Sequence, residues 1–470
     1  MDNTQTYNNP LGTERISKLI ARFSVPAIVG MLVNSLYNIV DRIYIGNSPD
    51  LGQNGLGGIT VVFPLMLISL AIGVLFGSGG ATAFSIKLGQ KDTEGAEKVL
   101  GNAFLMLVLS STTLMILGKI FLKQIISFLG ASEVILPYAY EYMSWILVGS
   151  VFATTSLGLN NFMRADGSPR TAMMTMFLGA GTNIILDPIF IYGFKMGMAG
   201  AAIATIISQF FSFVWVVAYF TGKRSIRSLR FKNLKPDYKI LKSISTLGMP
   251  PFALQLVGSM LNSILNKSLL FYGGDIAISG MGIINSLQTL MFMPIIGLNQ
   301  GLQPIISFNF GARKFDRVKK AAFMGAGIAT AITTSGFLLV RFFPTLLISM
   351  FNRTPQLVEF TKPALLAWML CMPIIGFQII FSNFFQAIAR PGVAIFLTLT
   401  RQLIFLIPSI IILPRIWGIS GLWYAAPLSD ALAAMLTGVW FYFGIKGLQK
   451  HADKADKGKL ENQIEIDGIG

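Results

Sequence analysis

The stretch Leu88-Gly-Gln-Lys-Asp-Thr-Glu-Gly-Ala-Glu-Lys98 returns about 222 residues later as Phe310-Gly-Ala-Arg-Lys-Phe-Asp-Arg-Val-Lys-Lys320. Two further sets share that offset. Asn161-Phe162, Ala165 and Pro169 match Asn383-Phe384, Ala387 and Pro391, and Gly197, Gly200, Ala204 and Ser208 match Gly418, Gly421, Ala425 and Ser429. A chain that repeats itself at this spacing consists of two halves built on one plan.

Each polar stretch is bounded by long apolar runs. Apolar residues make up 53% of the chain and charged residues 12%, with a mean hydropathy of +0.65. A soluble domain is nearer a quarter charged. Crossing a bilayer takes roughly 20 apolar residues per helix. Twelve segments qualify: 17–45, 58–85, 98–118, 135–160, 171–193, 197–220, 244–272, 278–308, 321–343, 360–386, 392–413 and 419–445. Six helices per half is an even number, so both halves enter the membrane from the same side. The expected fold is therefore an all-α integral membrane protein, its twelve transmembrane helices forming two six-helix lobes related by a pseudo-two-fold axis along the membrane normal, with a cavity between them. The N-lobe is 1–220, a basic linker is 221–243, the C-lobe is 244–445 and a polar tail is 446–470.

The net charge of +16 is a topology signal and does not point to nucleic acid. With the N-terminus inside, the inner loops and tails hold 27 Lys and Arg and the outer loops and helix ends hold 7. That bias places both termini in the cytoplasm. The first apolar run has no small-residue cleavage site and reads as a retained anchor. The linker, with eight basic residues, reads as a solvated anchor touching lipid phosphates. The tail after Lys446 reads as disordered. The single Cys371 excludes internal disulfides and thiol metal clusters, and the one histidine, His451, lies in the tail.

Asp41 and Asp187 each sit inside an apolar helix, in Asn34-Ser-Leu-Tyr-Asn-Ile-Val-Asp41 and Asn183-Ile-Ile-Leu-Asp187. A carboxylate there costs at least about 2–3 kcal/mol and marks a functional site. Asp41 lies 18 residues past Phe23, or ~27 Å along a helix, and Asp187 lies 16 past Thr171, or ~24 Å. Thr205, about 8 residues into the descending sixth helix, falls in the same outer layer. Tyr37 and Asp41 are one turn apart, as are Asn183 and Asp187, so each pair shares a helix face. Two close carboxylates suit proton uptake, and carboxylate, amide and hydroxyl oxygens together suit Na⁺. Beyond a possible Na⁺ at Asp41 and Asp187, no metal site is expected.

With its twelve helices, its repeats, Pro26 in the first helix, Pro250-Pro251 in the seventh, and Arg164-Ala-Asp-Gly-Ser-Pro-Arg170, the chain over about 15–445 resembles the MATE family, the multidrug and toxic compound extrusion antiporters. The resemblance implies cation-driven efflux of amphipathic, often cationic, compounds through a V-shaped cleft, coupled to H⁺, Na⁺ or both, without a cofactor. One group within that family keeps its acids on helices 1 and 5, where Asp41 and Asp187 fall, with Tyr37, Asn183 and Thr205 matching their polar neighbours. Another group uses an acid on helix 7, which here offers only Gln255, Asn262, Asn266 and Lys267.

Candidate substrate contacts are Asn34 and Asn38 beside Asp41, Glu141 on the fourth helix, and Gln255, Asn262, Gln288, Met291, Asn299 and Gln303 on the C-lobe wall. Glu141 either attracts cationic substrates or faces outer water. Pro26 is either a static kink or a hinge that bends when Asp41 changes state. Arg401 and Asp430, both near mid-membrane, are expected to pair, with coupling through Asp430 as the alternative. Lys267 is expected to snorkel.

The function expected is a plasma-membrane antiporter, monomeric, that exports amphipathic or cationic small molecules in exchange for H⁺ or Na⁺ by alternating access. The alternative is a lipid-linked precursor flippase of related two-lobe architecture, which calls for a more cationic central cavity. An enzyme would need clustered catalytic groups, and the membrane segments hold no histidine. A passive channel is a further class, which gradient-driven uphill transport excludes. No G-x-x-x-x-G-K-[ST] loop supports ATP-driven transport.

Overall fold

The computed structural model describes residues 9–222, 225 and 227–467, with the side chains of 53, 231 and 447–467 outside that description. Lys223 and Arg224 of the linker and the His451 side chain therefore lie outside the described residues. Among these the secondary structure is entirely helical. The N-lobe consists of α1 (Ile16–Gly46), α2 (Gly52–Gly89), α3 (Thr93–Ile120), α4 (Leu136–Ala165), α5 (Pro169–Pro188, ending in a π turn Ile189–Gly193) and α6 (Gly197–Thr221). A helical stretch Tyr238–Gly311 follows, broken at Gly274, where φ is +65°. Its parts are α7 (238–273) and α8 (275–311). The C-lobe continues with α9 (Phe315–Phe342) and with α10, formed by Pro355–Trp368 and Met372–Ala387 meeting at 48°. It closes with α11 (Pro391–Trp417) and α12 (Ile419–Asp467).

The break at Gly274 is a reversal of direction. Gly79 on α2 lies against Gly248, and Gly89, ten residues further on, lies against Phe308. Ten residues of α2 span ~15 Å, whereas residues 248 and 308 of one straight helix would stand ~90 Å apart. Counting α7 and α8 separately gives twelve crossings.

The repeat is legible in the backbone. Lys91 and Arg313, one in each copy of the repeated stretch, both adopt the left-handed region, at φ 62° and 57°. Gly197 and Gly418 both open the next helix at φ 58°, which explains why glycine stands at both positions. Pro169 and Pro391 each occupy the first turn of a helix, where a missing N–H costs nothing. The seam between the lobes obeys the same symmetry. A Cβ on Gly89 would meet the Phe308 carbonyl, and one on Gly311 would meet that of Ile86. Likewise α7 packs on α2 through Gly248 against Leu75, and α8 packs on α1 through Gly301 against Ser24.

Buried apolar residues fall into three clusters. One, on the side carrying both ends of the bundle, joins the lobes, with Phe23, Phe84 and Phe162 packed with Ile244, Leu302 and Phe384. On the far side each lobe has its own core, around Tyr142 and Met198 in the N-lobe and around Met281 and Trp423 in the C-lobe. Among the described residues, the hydrogen bonds between the lobes likewise lie on the terminal side, none beyond Met31 and Leu298. The lobes are therefore sealed on the terminal side and separate on the far side.

Two expectations are corrected here. α12 continues to Asp467, past Lys446, because the Ala-, Lys- and Glu-rich tail is made of good helix formers. The linker does not simply lie free over lipid. Its second half docks on α3, where Asn102 Nδ2 donates to the Lys235 carbonyl (3.2 Å) and Asn102 Oδ1 accepts from Asp237 N (2.8 Å). Asn233 Nδ2 also donates to Glu97 Oε2 (3.2 Å).

Candidate functional site: an acid pair in the N-lobe

Asp187 and Asn183 share the inner face of α5 and are 0% and 1% exposed. Asn183 Nδ2 donates to Asp187 Oδ1 (3.0 Å) and lies 3.4 Å from Thr205 Oγ1 on α6. The Thr205 hydroxyl donates to the Ala201 carbonyl (3.0 Å), which turns its lone pairs toward Asn183. From α1, the Asp41 carboxyl approaches that of Asp187 to hydrogen-bonding range. Two carboxyls hold that contact only when one of them carries a proton. Without a proton, Asp41 Oδ1 and Asp187 Oδ2 have no donor, and neither has Asn183 Oδ1. A buried polar atom left unpaired costs about 1–3 kcal/mol, so these oxygens call for a cation or a proton. The donor set, hard oxygens without nitrogen or sulfur, fits Na⁺ as well as H⁺.

The structure thus brings together the five residues expected to couple the ion: Asp41, Asp187, Tyr37, Asn183 and Thr205. Arg42 is exposed, though it stays within electrostatic reach of Asp41. Two tyrosines that the sequence reading missed complete the site. Tyr142 on α4 is 2% exposed and stands in electrostatic reach of Asp41, Asp187 and Tyr37. Tyr192, in the π turn after Asp187, donates its hydroxyl to the Tyr44 carbonyl (2.6 Å), and the two rings meet edge to face at 6.3 Å. It ties the end of α5 to α1 one turn beyond Asp41. The i, i+4 pair Tyr138 and Tyr142 beside Glu141 was the available signal for the first.

The expected substrate contacts are dispersed. Asn34, Gln255 and Asn299 are half-buried, and Asn38, Asn262 and Glu141 are exposed. Asn38 donates to the Asn34 carbonyl (2.7 Å), and Glu141 lies one residue off the face that carries Tyr142. Gln288 accepts from Trp368 Nε1 (3.3 Å) within the C-lobe, and Met291 packs beside Gly336. Gln303 stands in the seam and not on an open wall, where it donates to Ser78 Oγ (3.0 Å) and Thr82 Oγ1 (2.7 Å) of α2. Gln386 joins it there, donating to Ser78 Oγ (3.1 Å) and to the Leu247 carbonyl (2.8 Å). Pro26 is buried in α1 between Ser24 and Ile28, the residues on which Gly301 and Gly297 pack. Lys267 is exposed.

In the C-lobe, Arg401 Nε meets Asp430 Oδ1 at 2.7 Å, as the sequence leads one to expect, and Ser429 Oγ donates to the Arg401 carbonyl (2.7 Å). Among the described residues, no three His, Cys, Asp or Glu side chains cluster as a metal site would require.

A family model described as MatE matches residues 26–189 and 250–411, more than half of the chain. Multidrug export protein MepA of Staphylococcus aureus is 28% identical over 427 residues, covering 89% of this chain and 92% of MepA. The fold matches a solved structure of a multidrug resistance MATE family transporter of the MOP superfamily, described as outward-facing, with a TM-score of 0.89 at 24% identity, over 94% of this chain and 99% of that one. A MOP superfamily transporter from Pyrococcus furiosus, whose structure is described as having a binding pocket of reverse polarity, matches at a TM-score of 0.89 and 25% identity, again over 94% and 99%.

Proposed function

The chain belongs to the MATE family of membrane transporters, and from that premise we propose that it is an antiporter exporting amphipathic, often cationic, small molecules in exchange for H⁺ or Na⁺. The observation that carries this reading is the facing pair of a half-buried Asp41 and a fully buried Asp187, set beside Asn183, Thr205, Tyr37 and Tyr142 in one lobe. The excess of Lys and Arg on the terminal side supports a cytoplasmic location for both termini. With that orientation the cleft between the separate far-side cores faces outward, and the cytoplasmic side is sealed.

The cycle proposed for this geometry begins in the open cleft. A cation or proton entering the open cleft satisfies the unpaired oxygens of Asp41, Asp187 and Asn183. A proton lets one carboxyl donate to the other, and Na⁺ bridges them; either draws the far half of α1 toward α5. Pro26, lacking a backbone N–H, gives α1 a place to bend between its anchored and free halves. Movement of α1 changes the N-lobe wall beside Asn34 and Asn38 and lowers affinity for the substrate, which leaves outward. Reversal opens the seam at Gln303 and Gln386, exposing these amides to substrate from the cytoplasm. The ion drives the cycle only through unequal affinity for the two states.

The test is dye or cationic-drug transport in proteoliposomes under a pH gradient and a Na⁺ gradient imposed separately. Wild type is expected to transport under at least one gradient, and the effective gradient names the ion. Asp41→Asn and Asp187→Asn are each expected to lose roughly tenfold or more of that transport while remaining folded. Full activity in both variants would move coupling out of the N-lobe, with Asp430 the next residue to test.

A further inference from the structure

At the far-side end of the C-lobe, the connection between α9 and α10 carries a short helix, Pro344–Ser349. Two cavities of about 630 and 550 Å³ flank it and share Thr345 and Lys362 as lining. Arg353 and Glu359 line the first, and Arg341 lines the second. Outer basic residues are scarce in this chain, with seven expected among its outer loops and helix ends, yet three of them line these two adjoining cavities, with Lys362 common to both. Arg341, Arg353 and Lys362 are exposed, and among the described residues none forms an ion pair, although Glu359 lines the same cavity as Arg353 and Lys362. Three cations against one carboxylate leave the two cavities together net positive.

The apolar setting is equally particular. Phe342, Leu346 and Met350 are 71%, 61% and 74% exposed, on the same connection as the basic residues. This connection follows the end of an apolar span, so those side chains lie at the level where acyl chains meet head groups. Basic groups beside exposed apolar side chains on one connection match a molecule with an anionic head and two hydrocarbon tails. They do not match a free anion, which has no use for Phe342 or Met350. The hydroxyls of Thr345 and Ser349 add hydrogen-bond donors for phosphate oxygens.

We propose that this pair of adjoining cavities binds the head group of an anionic phospholipid of the leaflet opposite the termini, its phosphodiester at the shared Lys362 between Arg341 and Arg353, with its acyl chains along Phe342, Leu346 and Met350. The bound lipid braces the start of α10 against the end of α9, the two elements that flank the far-side mouth of the C-lobe. The site is independent of the Asp41 and Asp187 pair, so it stands or falls without the antiport reading.

The test uses the purified full chain and native mass spectrometry after exchange into equimolar phosphatidylglycerol and phosphatidylcholine. Wild type is expected to retain phosphatidylglycerol preferentially. The triple variant Arg341→Gln, Arg353→Gln, Lys362→Gln is expected to retain on the order of a hundredfold less of it, since each of the three basic groups near an anionic surface contributes on the order of a factor of five. Lys119→Gln with Lys123→Gln, at the matching connection of the N-lobe, serves as the control for general surface charge and is expected to keep wild-type retention. An unchanged triple variant overturns the proposal, and so does an equal loss in the N-lobe control. Displacement of the lipid by excess inorganic phosphate as readily as by a short-chain phosphatidylglycerol overturns the lipid assignment. Unfolding midpoints in phosphatidylcholine alone, expected to be equal for wild type and triple variant, show that retention is lost by a folded protein.

Discussion

At the residue scale, the acid pair was legible because an aspartate between isoleucines and leucines has few structural uses. Its depth follows from counting residues along a helix. Tyr142 was not legible, because a tyrosine in an apolar helix passes for packing until its hydroxyl is located. In place, it is a buried side chain on α4 within electrostatic reach of both carboxyls. Tyr142→Phe keeps the ring and removes the hydroxyl dipole beside the acid pair, so gradient-driven transport is expected to fall roughly fivefold, the size of about 1 kcal/mol. Thermal unfolding is expected to change little, and transport at the wild-type rate would exclude the hydroxyl from the site. A second residue outside the membrane has a cleaner stability role. Asp92 caps α3, its Oδ1 accepting from Gly95 N (2.8 Å) and its Oδ2 meeting Lys87 Nζ at 2.8 Å. Lys87 and the Gly95 N–H hold this carboxyl below the usual range. A depressed carboxyl contributes stability that is present above its unfolded pKa and lost as pH falls through the folded value. Asp92→Ala is therefore expected to cost about 1 kcal/mol at neutral pH. That gap from wild type is expected to close in acid, as thermal unfolding at two pH values will register.

At the scale of elements, the twelve spans were readable because the bilayer fixes their length and composition. The repeat was readable because glycine, proline and polar turns recur at one offset. What escaped was whatever depends on a partner. The 48° bend within α10 and the π turns in α5 and α11 leave the apolar pattern intact, so nothing in composition announces them. The reversal at Gly274 was located only to within the gap between 272 and 278. The glycines of the seam could be seen in sequence but not assigned, since close approach is a property of two helices together. Gly248 packs so tightly on Leu75 that any Cβ collides with its carbonyl. Gly248→Val is therefore expected to hold the seam apart and favour the state open on the terminal side. Lys91 and Arg313 are exposed, symmetry-related positions on either side of the seam. Spin labels at Lys91→Cys and Arg313→Cys, with Cys371→Ser removing the native thiol, are expected to report a longer separation by pulsed electron paramagnetic resonance in the Gly248→Val background. An unaltered distance distribution would mean that the seam accommodates the added methyl groups by local repacking.

At the scale of the whole molecule, the lobes are held together on the terminal side by more than apolar packing. The segment before α1 belongs to the N-lobe by sequence but docks on the C-lobe. Leu11 is 0% exposed, and its carbonyl accepts from Asn309 Nδ2 (2.9 Å) and an Arg317 guanidinium nitrogen (3.1 Å). The same nitrogen donates to the Glu14 carbonyl (2.7 Å), and Lys314 Nζ donates to that of Gly12 (2.7 Å). Arg317 Nε also bonds Asn309 Oδ1 (2.8 Å), which fixes the amide that reaches Leu11. These bonds satisfy carbonyls at the end of the short helix Pro10–Thr13, so the strap is both capped and tethered by the opposite lobe. Opening the terminal side must break this set together with the Gln303 and Gln386 contacts. Hydrogen bonds to charged groups are worth about 1.5–3 kcal/mol each. Losing two of them in Arg317→Ala is therefore enough to move the balance between closed and open seams by tenfold or more. The variant is expected to show the longer separation between labels at Lys91→Cys and Arg313→Cys without added substrate, and Arg317→Lys, which keeps one donor, is expected to fall between it and wild type. Because the strap lies far from Asp41, Arg317→Ala is also expected to leave the choice between H⁺ and Na⁺ unchanged while lowering turnover. A change of coupling ion in this variant would show that the seam and the acid pair are not separable devices.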